Sequence, residues 1–112
     1  MKVAGLSFNM SVTLAYICEL SAKSVVSLPD VTSCVKKTPL PMMFQMQTID
    51  SLVRRDFVCR QTVDGEQLVS PSAIGIVENA SFAESADGIR VIKHARAFAD
   101  SLRLRIEIMG DK

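Results

Sequence analysis

Residues 38–57 read TPLPMMFQMQTIDSLVRRDF, and the fold turns on how this stretch is read. Pro39 and Pro41 cannot continue a helix but can begin one, because the first helical turn does not need the amide hydrogen that proline lacks. The spacing predicts a helix from Pro41 to Arg55. On its wheel Met42, Gln45, Met46, Ile49, Leu52 and Val53 share one face, as a core requires. Met43, Phe44, Gln47, Thr48, Ser51, Arg54 and Arg55 share the other. That outer face places two large apolar side chains beside an amide and a hydroxyl, then ends on two cations.

Downstream, FVCRQTVDGEQLVS (57–70) is β-rich, with Asp64-Gly65 at its middle. Asp-Gly between two such runs predicts a hairpin, since both central positions of the favoured turn need positive φ. Pro71 ends the hairpin. SPSAIGIVENASFAES (70–85) reads as a weaker helix, with Gly75 counting against it, and ESADG (84–88) as a joint. In residues 88–109, Val91, Ile92, Ala95, Phe98, Ala99, Leu102, Ile106 and Met109 form one helical stripe. LRLRIEI (102–108) also alternates with period two, so the spacing there allows either helix or strand.

Upstream, Met10, Leu14, Ile17 and Leu20 recur at helical spacing over 9–23, with Asn9 as the expected N-cap. Ser27 can cap a second, short helix with Pro29 in its first turn and Asp30 complementing the dipole, ending at Lys36 and Lys37. Leu28, Val31 and Val35 are expected to face inward.

Helix, short helix, helix, hairpin is the winged helix-turn-helix plan, so the expected class is α+β. Residues 1–84 form the winged-helix part and 85–112 a C-terminal amphipathic segment. A helix about 10–12 Å across fits the DNA major groove, and only its outward side chains reach base edges. On this plan Gln47 is suited to adenine, Thr48 to several bases, and Met43 and Phe44 to thymine methyl groups. Lys36, Lys37 and Thr38 at the turn would meet phosphate. Arg54, Arg55, Arg60 and Thr62 would supply backbone contacts around the wing. From Lys36 to Arg60 there are five basic residues against Asp50 and Asp56, although the whole chain carries only +1. Any attraction to nucleic acid must therefore be local.

At 112 residues the chain is one modest domain, and 48% hydrophobic residues with 22% charged exclude disorder as its ground state. Asn9, Ser7, Ser11 and Thr13 interrupt the apolar N-terminal stretch, and no run of about 18 apolar residues exists, so a cytoplasmic protein without membrane association is expected. Cys18, Cys34 and Cys59 are widely spaced and accompany a single histidine, His94, which offers no structural zinc set. All three are expected to be small buried residues. Cys59 is the candidate redox thiol, because Arg60 beside it is placed to favour the thiolate. One histidine must serve every nucleophile, no phosphate-binding glycine loop occurs and the carboxylates are scattered. No catalytic residue, metal ligand or cofactor is assigned.

LAYICELSAK (14–23), VSLPDVT (26–32), LVRRDFV (52–58) and DGEQLVSP (64–71) together give the chain a family likeness over about residues 10–80. It resembles the winged-helix repressors that include the iron–sulfur cluster regulator IscR, NsrR and CymR. Asp56 stands where that family usually has glycine, the wing is shortened and the turn is lengthened by TPLP. The resemblance implies a regulator that binds double-stranded DNA, a repressor acting by promoter occlusion. It also implies a homodimer joined by the C-terminal helix through Val91, Ile92, Ala95, Phe98, Ala99, Leu102 and Ile106. Cluster-binding members carry three cysteines between wing and dimer helix, and NASFAESADG (79–88) has none, so no cluster is implied. The alternative is a winged-helix module that binds another protein as an adaptor or inhibitor. The acidic Asp56 and Asp64 by the wing favour that reading.

Overall fold

The computed structural model describes residues 6–23, 27–36 and 45–110, the side chains of 30, 34–36, 45 and 103–110 excepted. The elements run α1 (Phe8–Ala22), α2 (Leu28–Lys36), α3 (Gln45–Arg54), β1 (Val58–Val63), β2 (Glu66–Pro71), α4 (Ala73–Ala83) and α5 (Ala86–Gly110). The class is α+β, mostly helical, with an antiparallel hairpin after the third helix.

Helix α1 is the hub. Its N-cap is Ser7, whose Oγ accepts from the Met10 amide at 3.2 Å, two residues before the expected Asn9. Leu6, just before the cap, and Met10 in the first turn are both buried, so the chain enters the helix from the core side. The sequence stripe suggests one apolar face, yet residues 10–17 are buried on every side. Neighbours explain this: α1 packs on α5 along one flank and on α2, α3, α4 and β2 around the rest. Leu14, Ile17 and Leu20 are each at most 1% exposed, worth roughly 1.5–3 kcal/mol apiece. Thr13, equally buried, has no partner for its Oγ1 among the described residues.

Helix α2 begins as Ser27 and Pro29 predict, with the Val31 amide donating to the Ser27 carbonyl at 3.0 Å. Leu28 and Val31 are buried beneath it, as expected. Ser27 also forms an isolated antiparallel bridge to Leu68 on β2, so the backbone at the start of α2 lies against the hairpin. The hairpin itself closes on two residues: Val63 pairs with Glu66, and Asp64 and Gly65 have φ of 53° and 80°. Both central residues are left-handed, as the Asp-Gly signal requires.

After Pro71, Ser72 caps α4, accepting from the Gly75 amide at 3.0 Å. Gly75 counts against a helix by propensity, but here its missing side chain is required. A Cβ at this position would collide with the Phe57 carbonyl, so α4 approaches the start of the hairpin only because residue 75 is glycine. Helix α4 turns through Glu84 and Ser85 into α5, which continues as helix through 102–108 to Gly110. Strand spacing in LRLRIEI gives way there to helical continuation from an already nucleated, well-packed helix.

The expected boundary at residue 84 falls in the α4–α5 turn, and one core spans both sides of it: Ala95 and Ala99 are buried with Leu14, Ile17, Ile49 and Val69. At the surface, Lys23 pairs with Asp100 at 2.7 Å, and Arg96 donates to both Glu19 oxygens at 3.2 and 3.3 Å. No described helix is long and apolar enough to cross a membrane.

Candidate nucleic-acid interface

Helix α3 is held by its inner face. Ile49 and Leu52 are fully buried and Val53 half-buried, which fixes the rotation of the helix. Its C-terminus is closed by a Schellman turn: the Phe57 amide donates to the Leu52 carbonyl at 2.9 Å, and the Asp56 amide to that of Val53 at 3.1 Å. Phe57 then buries beside Leu52, the hydrophobic contact that accompanies this motif. Asp56 occupies the left-handed position with φ 67°. It stands where glycine is the easier residue, and so meets the same backbone demand with a side chain attached.

With the inner face fixed, Gln47, Arg54 and Arg55 are exposed and Thr48 and Ser51 half-exposed. Arg54 lies along the helix and donates to Ser51 Oγ at 3.2 Å. Met46, expected to face inward, is instead 43% exposed, its sulfur accepting from Thr32 Oγ1 at 3.7 Å. Met46 borders the open space between α2 and the hairpin tip, which leaves it in contact with solvent. Gln45 begins α3, with its side chain outside the described residues, and Lys37, Thr38, Met43 and Phe44 lie outside them altogether. Lys36 closes α2, its side chain likewise outside.

The hairpin stands clear of the body from Cys59 to Gln67, and Thr62 is exposed on it. Arg60 is turned back: its guanidinium meets the Asp50 carboxylate on α3 at 2.6 Å. An open groove of about 920 Å³ separates the hairpin tip from α2, with Leu28, Pro29, Thr32 and Met46 on one side and Asp64 and Glu66 on the other. From Gln45 to Pro71 the chain carries three arginines against Asp50, Asp56, Asp64 and Glu66. Counted from Lys36 to Pro71, the cationic bias expected over 36–60 falls from +3 to +1, because Asp64 and Glu66 add two negative charges at the hairpin tip.

The cysteines divide. Cys18 is partly buried on α1, and burial, reinforced by the neighbouring Glu19 carboxylate, pushes its thiol up to about 12. Cys34 lies on α2 with its side chain outside the described residues. Cys59 is exposed rather than buried, because only the first residue of β1 reaches the core. The neighbouring Arg60 guanidinium is engaged by Asp50 on α3, and alternate strand residues point to opposite faces.

The α5 stripe read as a dimer seam is occupied within the chain. Ile92, Ala95 and Ala99 are buried, and Val91, Phe98 and Leu102 pack half-buried on the same core, with α1 as their neighbour. Ile106 lies on α5 with its side chain outside the described residues. The solvent-facing apolar residues missed by that reading are Ile74, Ile76 and Val77 on α4 and Ile89 at the start of α5, 55–70% exposed. An apolar composition all round a helix was the available signal.

No protein-family model, curated protein or solved structure matches the chain.

Proposed function

We propose that the chain is a DNA-binding transcription regulator of the winged helix-turn-helix plan, related to the IscR-type repressors and acting as a homodimer that occludes a promoter. The observation that carries this reading is the setting of α3. Its inner face is locked by Ile49 and Leu52, so Gln47, Thr48, Arg54 and Arg55 are presented together along the outer face. An amide and a hydroxyl suit base edges, and two guanidiniums suit phosphates. The Ser27–Leu68 bridge adds support, since it ties the start of α2 to the hairpin, as the brace helix and wing of this plan would lie. Thr62 on the exposed hairpin is suited to a flanking phosphate.

A second reading, a module that binds another protein, is favoured by Asp64 and Glu66 at the hairpin tip and by the engagement of Arg60 with Asp50. Both features weaken an approach to phosphate.

Fluorescence anisotropy against random duplex DNA at rising salt separates the two. A DNA-binding protein loses affinity linearly in log salt, and Arg54→Ala flattens the slope by about one unit. A chain that fails to bind duplex at low salt, or binds with no salt dependence, overturns the DNA-binding reading and leaves the protein-binding one standing.

A further inference from the structure

The hairpin tip and α2 flank the open groove of about 920 Å³, and its two walls differ in kind. Leu28, Pro29 and Met46 make one wall apolar. Asp64 and Glu66 make the other acidic, and no cation is among the residues that line the groove. Neither carboxylate has an ion-pair partner among the described residues, whereas Asp50 on α3 is engaged by Arg60. The walls are held in place by the chain itself. The Ser27–Leu68 bridge ties the start of α2 to β2, Thr32 Oγ1 donates to the Met46 sulfur at 3.7 Å, and Arg60 ties β1 to α3. The left-handed Asp64 and Gly65 fix the tip.

We infer that this groove is a docking site for an extended segment of another protein in which basic and apolar residues alternate. The inference rests on the protein-binding reading and gives that partner its chemistry. The two walls select the occupant. Successive side chains of an extended peptide point to opposite sides. A lysine or arginine turned toward Asp64 and Glu66 therefore leaves its neighbours facing Leu28, Pro29 and Met46. Methionine, with an unbranched and polarizable side chain, adapts its shape to such a neighbour. Thr32 and Gln67, also lining the groove, can hydrogen-bond the peptide backbone. Nucleic acid is a poor occupant, because its phosphates would face the two carboxylates. A groove whose walls are already tied together spares the partner the cost of ordering them.

The contact is a weak one. Both carboxylates are exposed, so each ion pair with the partner is worth little in water, and the apolar wall is short. A hexapeptide, about 20 Å long when extended, is expected to bind with a dissociation constant on the order of 100 μM.

The test is an NMR titration of the whole chain, read at its backbone amides at physiological salt and without DNA. The probe is a blocked hexapeptide that alternates arginine and leucine. Saturable shifts are expected at the amides of Thr32, Ser33, Met46, Gly65 and Gln67. Asp64→Asn combined with Glu66→Gln keeps the turn, since asparagine accepts the same left-handed backbone, and weakens binding about three- to tenfold. Hexapeptides with serine in place of leucine, or glutamate in place of arginine, bind several-fold more weakly than the probe. No saturable shift up to millimolar peptide, shifts confined to other surfaces, or equal binding by the serine peptide or the double variant overturns the inference. Failure here removes this groove alone. The DNA-binding reading answers to the salt titration, and a protein partner on another surface would leave the groove amides unshifted.

Discussion

Arg60 on β1 and Asp50 on α3 meet at 2.6 Å, so the hairpin is tied to the outer-facing helix by one ion pair. Both side chains are about a third exposed, and such a pair contributes under about 1 kcal/mol to stability. Its electrostatic effect on a phosphate is larger, because Asp50 both occupies Arg60 and adds negative charge. Asp50→Asn is expected to tighten duplex binding several-fold and steepen the salt slope by about one unit, with little change in melting temperature. Unchanged binding would remove Arg60 from the proposed interface.

Asp56 pays the left-handed penalty at the end of α3. Replacing it with glycine, which adopts φ 67° without steric cost, should stabilise the fold by about 0.5–1 kcal/mol, and Asp56→Ala should destabilise it by a similar amount. Urea denaturation of the three proteins gives the order directly. If alanine equals glycine, the left-handed backbone at this position is not what sets stability.

Gly75→Ala would gain helix propensity and lose far more. Its Cβ would have to enter the space of the Phe57 carbonyl, which belongs to backbone and cannot rotate aside. A loss of about 2–4 kcal/mol is expected in chemical denaturation, against a gain of up to about 1 kcal/mol at an unconstrained helical glycine.

Thr13 is fully buried with no partner for its hydroxyl among the described residues. Thr13→Val keeps the shape and removes the unsatisfied group, so stability should rise by about 1 kcal/mol. A fall of that size would mean that the hydroxyl is bonded in solution.

With its thiol pushed up to about 12, Cys18 holds about a thousandfold less thiolate at pH 8 than it would at its ordinary value of 9.0. In a Cys34→Ser background, a thiol reagent should label Cys59 promptly and Cys18 only on unfolding. The same shift has a stability consequence. The unfolded chain ionises Cys18 above about 9 and the folded chain only near 12, so its contribution is complete below pH 9 and lost as pH rises through that window. Cys18→Ala should reduce the alkaline loss of stability measured by denaturation between those pH values.

The order of elements was legible because each boundary carries local chemistry. Ser27 and Pro29 start α2, Asp64-Gly65 turns the hairpin, and Ile49 and Leu52 orient α3. What stayed hidden depends on residues distant in sequence. The engagement of Arg60 by Asp50, the requirement for glycine at 75 and the burial of α1 on every side all arise from neighbours that no local pattern specifies. The α5 stripe was visible, but a stripe does not say which surface covers it. It is α1 of the same chain, seen in the Glu19–Arg96 and Lys23–Asp100 pairs. The exposed outer face of α4 could be read only once its neighbours were known.

Those two clamps also bear on synthesis. They join α1 to α5, with Glu19 and Arg96 77 positions apart in sequence. The central rod therefore waits, its flank uncovered, until α5 has emerged from the ribosome. The nascent protein depends on late closure, and truncation before α5 should leave an aggregation-prone product rather than a smaller folded one.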